Sequence, residues 1–242
     1  MRLRVGLTLG ALHETLCRTM VQCSTLAVRP SAVQCAVLEV GNLANATESR
    51  SHFAMWAVMS SPLILSFRLH DTKRMEQAWP IISNKRVIAV NQRWHGHPGR
   101  RVAAADTPSG ANPPPSTPTS LVGWEWQVWE KPLGNSSHAV LLVSTGSATS
   151  TVLSVPLADI STDLSTASAL CVYDLYGALP PRAMDPRAQP ALTTPALGAH
   201  DSAFYCVSVL HGVGNGSGIE PGKGYPPDEK CEEPASRRGC PT

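Results

Sequence analysis

The stretch SHFAMWAVMSSPLIL, Ser51–Leu65, decides how the rest of the chain is read. Phe53, Met55, Trp56, Val58, Met59, Leu63, Ile64 and Leu65 follow one another with almost no charge after His52. The apolar residues begin at helical spacing and then become nearly continuous, which leaves no face for water. This predicts a helix buried on most sides, broken at Pro62 and followed by a short apolar strand. An αβ unit of that kind belongs to a larger parallel sheet covered on both faces.

Working outward, Asn45 to Ser49 opens the helix, LILSF (63–67) is the strand, and Asp71 is the N-cap of a helix reaching about Ser83. The run VIAVN, Val87–Asn91, is apolar and β-branched and reads as a short strand or tight connector. From Ala103 to Thr119 the composition changes to Ala, Pro, Ser, Thr and Gly, including Pro113, Pro114 and Pro115, as in an extended loop. In GWEWQVWEKPL, Trp124, Trp126 and Val128 then alternate with Glu125 and Gln127, the pattern of a half-buried strand. HAVLLVS, TSTVLSV, ALCVYDLY and SAFYCVSV follow, separated by polar turn clusters. Together they predict an antiparallel sandwich over about 121–210, able to fold alone. Residues 1–36 show no sustained period, and the Gly- and Pro-rich end from His211 reads as a disordered tail.

Composition excludes several classes of function. The net charge of +2 comes from 20 basic and 18 acidic residues spread along 242, so nothing asks for nucleic acid or an anionic membrane. No apolar run approaches the roughly 18 residues that span a bilayer. The start, MRLRVGLTLGALHETLCR, has a basic end and a short apolar stretch, but His13 and Glu14 interrupt it and no small-residue cleavage site follows. The seven cysteines form no C-x2-C pair, which weighs against a zinc site. Cys171 and Cys206 lie in β-like runs and are expected to be buried thiols rather than a bridge. Cys231 and Cys240 could close a small disulfide loop. Asn45, Asn135 and Asn215 open N-x-S/T sequons, candidate N-glycosylation sites.

Several segments carry a family resemblance. LEVGN (38–42), the helix 51–65 and ISNKRVIAVNQ (82–92), then WQVWEKPL (126–133) and HDSAFYCVSV (200–209), resemble in order the closing part of glycoside hydrolase family 27, the α-galactosidases and α-N-acetylgalactosaminidases. The resemblance implies the last βα elements of a TIM barrel over 37–99. An antiparallel β-sandwich follows over 100–210, with 103–119 as an insertion; 1–36 is unmatched and 211–242 is tail. It implies no cofactor, α-galactoside sugars as partners, and a secreted, lysosomal or vacuolar location. It also implies retaining hydrolysis by two carboxylates, in K-x-D-x-C and R-x-x-x-D contexts upstream of the matched region. Neither context occurs in residues 1–37, where the only carboxylate is Glu14. The family's W-N-D-P-D-M segment should fall at 32–37, which reads AVQCAV; its pocket-lining Asp and Met become Ala36 and Val37. A full barrel takes about 250 residues, whereas about 100 remain here, so the catalytic part is expected to be incomplete. The helix 51–65, short of barrel strands to cover, is expected to pack loosely.

Other chemistry-bearing residues have plainer readings. Glu39 could face a barrel mouth, but reads as a structural polar residue. Asp71 and Glu76 read as helix cap and solvated face. His95 and His97 in WHGHPG lack a third ligand, and Arg93, Trp94 and His95 depart from the pattern N-Q-D-P-L-G of the family that the chain resembles. Trp124, Trp126 and Trp129 could stack on a sugar, although alternation assigns Trp124 and Trp126 to a sandwich core. His200 and Asp201 read as a turn. The competing functional reading is a non-catalytic sandwich that binds carbohydrate or another chain.

Overall fold

The computed structural model describes residues 38–106, 124–145 and 150–210. The elements are α1 (Ala46–Val58), α2 (Thr72–Ile82), α3 (Lys85–Gln92), β1 (Arg100–Asp106), β2 (Trp124–Gly134), β3 (Ser137–Ser144) and β4 (Thr151–Pro156). Two short helices follow, α4 (Leu157–Ile160) and α5 (Thr162–Thr166), then β5 (Leu170–Asp174), β6 (Arg182–Met184), β7 (Ala191–Leu197) and β8 (Ser202–Val209). The expectations for the first 37 residues, including Ala36 and Val37, and for Asn215, Cys231 and Cys240 lie outside the described residues.

Local signals start the helices. Asn45 Oδ1 accepts the Glu48 N–H at 2.8 Å, and the Glu48 carboxylate reaches back to the Ala44 N–H at 3.3 Å. This double cap also places a negative charge at the positive end of α1. Asp71 caps α2 by accepting the Arg74 N–H. VIAVN is the first correction: it is helical, inside α3. Asn84 caps this helix through the N–H groups of Arg86 and Val87, while Val87 and Val90 are fully buried. Burial of one face, with a good cap, overrides the β-branched preference.

The parallel αβ unit is present in reduced form. Leu38 pairs with Leu65 in parallel, through Leu38 N–H to Ile64 O at 2.8 Å and Ser66 N–H to Leu38 O at 3.3 Å. LILSF therefore makes a single bridge where a longer strand was expected, and Ile64 is 57 % exposed. Among the described residues no barrel closes.

Six antiparallel strands form the main sheet in the order β1-β2-β3-β8-β5-β6, and β4 pairs with β7 in a second, two-stranded sheet. Both faces of the main sheet are covered. On one face Val128, Val140, Leu142, Val172 and Tyr205 meet Leu153, Val155, Leu157, Ile160 and Leu192 of the small sheet and short helices. On the other, Trp129, Leu141, Val143, Tyr173 and Phe204 meet Phe53, Trp56, Val87 and Val90 of α1 and α3. This is why all eight residues of β3 are buried.

That layering overturns the loose packing expected of the helix. Ser51 through Val58 are all buried, because the main sheet, α2 and α3 surround α1. It also counts against a sandwich that stands alone, since Trp129, Leu141 and Phe204 would then face water. Three other expectations change. β1 runs through Asp106, into the stretch assigned to a loop. Strands β6 and β7 had no sequence signal; β7 carries Pro195 and two threonines. Cys171 and Cys206 are each disulfide-bonded, not free buried thiols.

Helix α1 ends in a Schellman motif. The Ser61 N–H reaches Trp56 O at 3.1 Å and the Ser60 N–H reaches Ala57 O at 3.2 Å, with Ser60 at φ 55. Glycine is the residue suited to that conformation. The Ser60 hydroxyl is also buried with no hydrogen-bond partner. Ser60→Gly removes both penalties, and chemical denaturation should show a gain of about 1 kcal/mol with an unchanged m-value. A loss of stability would mean that the entropy of the unfolded glycine outweighs the strain.

Candidate functional site

In a barrel fold the reacting groups gather at the carboxyl ends of the parallel strands. Here that position holds a connected polar group. Glu39 is half-buried, and its Oε2 accepts from Asn42 Nδ2 at 2.9 Å. The same nitrogen lies 2.8 Å from Ser66 Oγ, whose hydroxyl donates to Leu38 O at 2.9 Å. Arg74 Nη1 donates to Asn42 Oδ1, and Arg74 Nε pairs with Asp71 Oδ2 at 3.2 Å. The chain turns here through Gly41 at φ 88, where a Cβ would press on the Phe67 ring at 3.3 Å. Asp71 therefore has both oxygens engaged, by the Arg74 backbone and side chain. Glu76 is exposed on α2. Behind Glu39, His52 Nε2 accepts the Glu39 N–H at 3.1 Å; burial lowers the imidazole to about 4, so it is neutral near pH 7. This mouth can accept and donate hydrogen bonds to a polyol, with one carboxylate partly available.

The other sequence candidates are scattered. His95 and His97 are exposed in a tight loop, and His97 Nδ1 contacts Pro98 O at 2.6 Å. Among the described residues no group of three or more His, Cys, Asp or Glu could hold a metal. Trp129 is buried and donates to Gln127 Oε1 at 3.0 Å; Trp126 is half-buried against the inter-sheet core. Neither forms an open stacking platform. His200 O accepts from Ser51 Oγ at 2.8 Å and Asp201 caps the Ser202 N–H, so both serve the turn before β8. Asn45 and Asn135 are exposed.

Two polar centres escaped sequence reading because their partners are remote. The first is Lys131 on β2, fully buried beneath the helices. Its Nζ donates to Val90 O, to Asn91 O at 3.2 Å and to Ala57 O at 3.5 Å. Those carbonyls lie at the negative ends of α1 and α3, where a cation is favoured. Burial lowers the ammonium to about 8, which leaves it charged near neutral pH. The second lies on the opposite face of the sheet. His138 Nδ1 is 2.8 Å from Glu130 Oε1 and its Nε2 is 3.1 Å from Asp163 Oδ2. Arg100 Nε donates to the other Glu130 oxygen at 3.0 Å, and Ser161 Oγ donates to Asp163 Oδ1. The only signal in the sequence was alternation, which puts Glu130 and Lys131 on opposite faces.

Comparison with known proteins agrees with this geometry. The model of the family described as alpha galactosidase A matches residues 28–93, which include the parallel pair and helices α1 to α3 and also residues 28–36, expected from the sequence to be unmatched. The chain is α-galactosidase-like over part of its length, similar to glycoside hydrolase family 27. It is 32% identical over 142 residues to alpha-galactosidase 1 of Saccharomyces cerevisiae, covering 57% of this chain and 27% of that one. It is 34% identical over 118 residues to the Coffea arabica α-galactosidase, covering 48% and 26%. Among solved structures, α-galactosidase I of Mortierella vinacea superposes with a TM-score of 0.50 at 25% identity, over 71% of this chain and 38% of that one. The Saccharomyces cerevisiae α-galactosidase with raffinose gives 0.54 at 24%, over 72% and 46%, and so shares the fold. The chain spans about a quarter of the length of those two curated relatives. Among its described residues, no helix is long and apolar enough to cross a membrane.

Two outcomes follow from the polar centres. Lys131→Met keeps the apolar stem but strips a donor from three buried carbonyls, and should cost about 2 kcal/mol in urea denaturation. Burial lowers the His138 pKa, but hydrogen bonds to Glu130 and Asp163 and their charges more than offset it, so the folded value lies above 6.5. Burial raises the Asp163 pKa, yet bonds from Ser161 and His138 bring it below 3.8. The His138 contribution is therefore full below its unfolded pKa and lost as pH rises through the folded one. The Asp163 contribution is full above its unfolded pKa and lost as pH falls through the folded one. The Tm difference between wild type and His138→Gln should be largest near about pH 5 and shrink towards about pH 9. A difference that is flat with pH would show that His138 is neutral in the fold.

Proposed function

We propose that this chain provides the closing βα elements and the C-terminal β-sheet region of an α-galactosidase, and does not hydrolyse α-galactosides by itself. The parallel pairing of Leu38 with Leu65, with α1 buried between that pair and the sheet, carries this reading. The family-model match over residues 28–93 and identity to α-galactosidases over 107 and 142 residues support it. The substrate class is terminal α-linked galactose, with the polar mouth of Glu39, Asn42 and Ser66 forming one wall of the sugar pocket.

Retaining hydrolysis needs two carboxyl groups about 5–5.5 Å apart, one to attack the anomeric carbon and one to protonate the leaving oxygen. Their pKa values must differ, so that one is ionised while the other holds a proton. Glu39 cannot fill both roles, and Asp71 is held by Arg74. The sequence contains neither of the family's upstream carboxylate contexts within residues 1–37, and Ala36 and Val37 stand where the pocket Asp and Met are expected. Loss of one member of a catalytic set already costs several orders of magnitude.

Purified protein should release no p-nitrophenol from p-nitrophenyl α-galactoside above the rate without protein, and Glu39→Gln should behave identically. Turnover in the wild type that disappears in Glu39→Gln would overturn the proposal and place catalysis at this mouth.

A further inference from the structure

We propose that Asn45 and Asn135 carry N-linked glycans, each through an amide nitrogen that has no protein partner among the described residues. Both open sequons, Asn45-Ala46-Thr47 and Asn135-Ser136-Ser137, and both side chains are exposed. A sequon alone is a weak signal; its local geometry is what decides whether the fold tolerates a sugar.

At Asn45 the amide is divided between two tasks. Oδ1 caps α1 by accepting the Glu48 N–H at 2.8 Å. The transfer uses Nδ2, which attacks C1 of the first sugar of an oligosaccharide linked to a lipid diphosphate. The N–C1 bond forms, the C1–O bond to the diphosphate breaks, and one amide proton leaves. The product amide keeps Oδ1, so the cap survives the modification.

Asn135 sits at the tip of the β2–β3 hairpin. Asn135 and Ser136 have φ 54 and 50, the pattern of a type I′ turn, in which asparagine is well tolerated. Ser137 Oγ contacts the Asn135 backbone oxygen at 3.3 Å and leaves the side-chain amide to solvent.

A separate observation points to the required compartment. Cys171 and Cys206 are each disulfide-bonded, which is a property of chains folded in an oxidising environment. In eukaryotic cells, glycan transfer to asparagine takes place in that same environment.

The test is the full chain exported from a yeast host behind a cleavable leader, with the microsomal pool mapped beside the secreted one. Peptide N-glycosidase in heavy-oxygen water converts each glycosylated asparagine to labelled aspartate, which peptide mass mapping locates. Label is expected at both Asn45 and Asn135. Thr47→Ala removes the first sequon while keeping the cap, and should lose one glycan with no change in Tm. Asn135→Gly removes the second sequon, suits the positive φ, and should lose the other. Unlabelled Asn45 and Asn135 peptides in both pools overturn the proposal, even if Asn215 is labelled. Label at only one of the two overturns it for the other. A lower Tm for Thr47→Ala than for wild-type protein trimmed to a single sugar per site would overturn the independence of cap and glycan.

Discussion

The C-terminal end of helix α1 is the point on which the structure depends. A helix end leaves carbonyls without partners, and this one is buried, where each unmet acceptor costs about 1–3 kcal/mol. Four segments bring donors to it. The backbone supplies Ser60 and Ser61, α3 supplies the Asn91 amide to Trp56 O and Ser61 O, and β2 supplies Lys131 to Ala57 O. The entry to β1 supplies the Gly99 N–H to Val58 O at 2.9 Å. A Cβ on Gly99 would lie 2.1 Å from Val58 Cγ1, so only glycine brings the chain that close. Because Lys131 also caps α3, one ammonium ties two helices to the sheet.

This arrangement explains why the main sheet is a middle layer. Antiparallel sheets commonly leave one face to water, but here α1 and α3 bury what would be the wet face. Adjacent residues on β2 consequently serve different layers. Glu130 is paired through His138 and Arg100 with the short helices, whereas Lys131 is committed to the helix ends. Arg86, stacked 4.7 Å over the Tyr173 ring, and Asn84, donating to Leu175 O at 3.1 Å, extend the same junction to β5. The layers are joined by polar contacts at fixed geometry as well as by apolar area, which fixes their relative placement.

The functional reading follows from position. Glu39, Asn42 and Ser66 lie together at the carboxyl ends of the two parallel segments, and His52 holds the Glu39 backbone from behind. His52 itself sits on α1, which is capped at both ends by Asn45 and by the Schellman turn at Ser60 and Ser61. Under the proposed function such support suits a sugar-binding wall, since hydroxyl recognition depends on hydrogen-bond donors that stay in place. Retaining hydrolysis asks for more, namely a second carboxylate across the sugar.

The sequence by itself determined the parts whose causes are local. Asn45 and Asp71 mark helix starts because their side chains reach N–H groups three residues away, and the strands β2, β3 and β8 announce themselves by apolar patterning. The segments LEVGN and SHFAMWAVMSSPLIL carried the family, and the matched region bears that out. Other features were decided only when remote segments met. Val87–Asn91 became helical because Val87 and Val90 enter a shared core, a burial that outweighs β-branched propensity. Strands β6 and β7 exist through pairing with β5 and β4, despite weak patterns of their own. Lys131 could be buried because three carbonyls from two helices converge on it. Convergence of that kind is non-local, since no spacing along the chain records which residues, dozens of positions apart, will share a hydrogen bond.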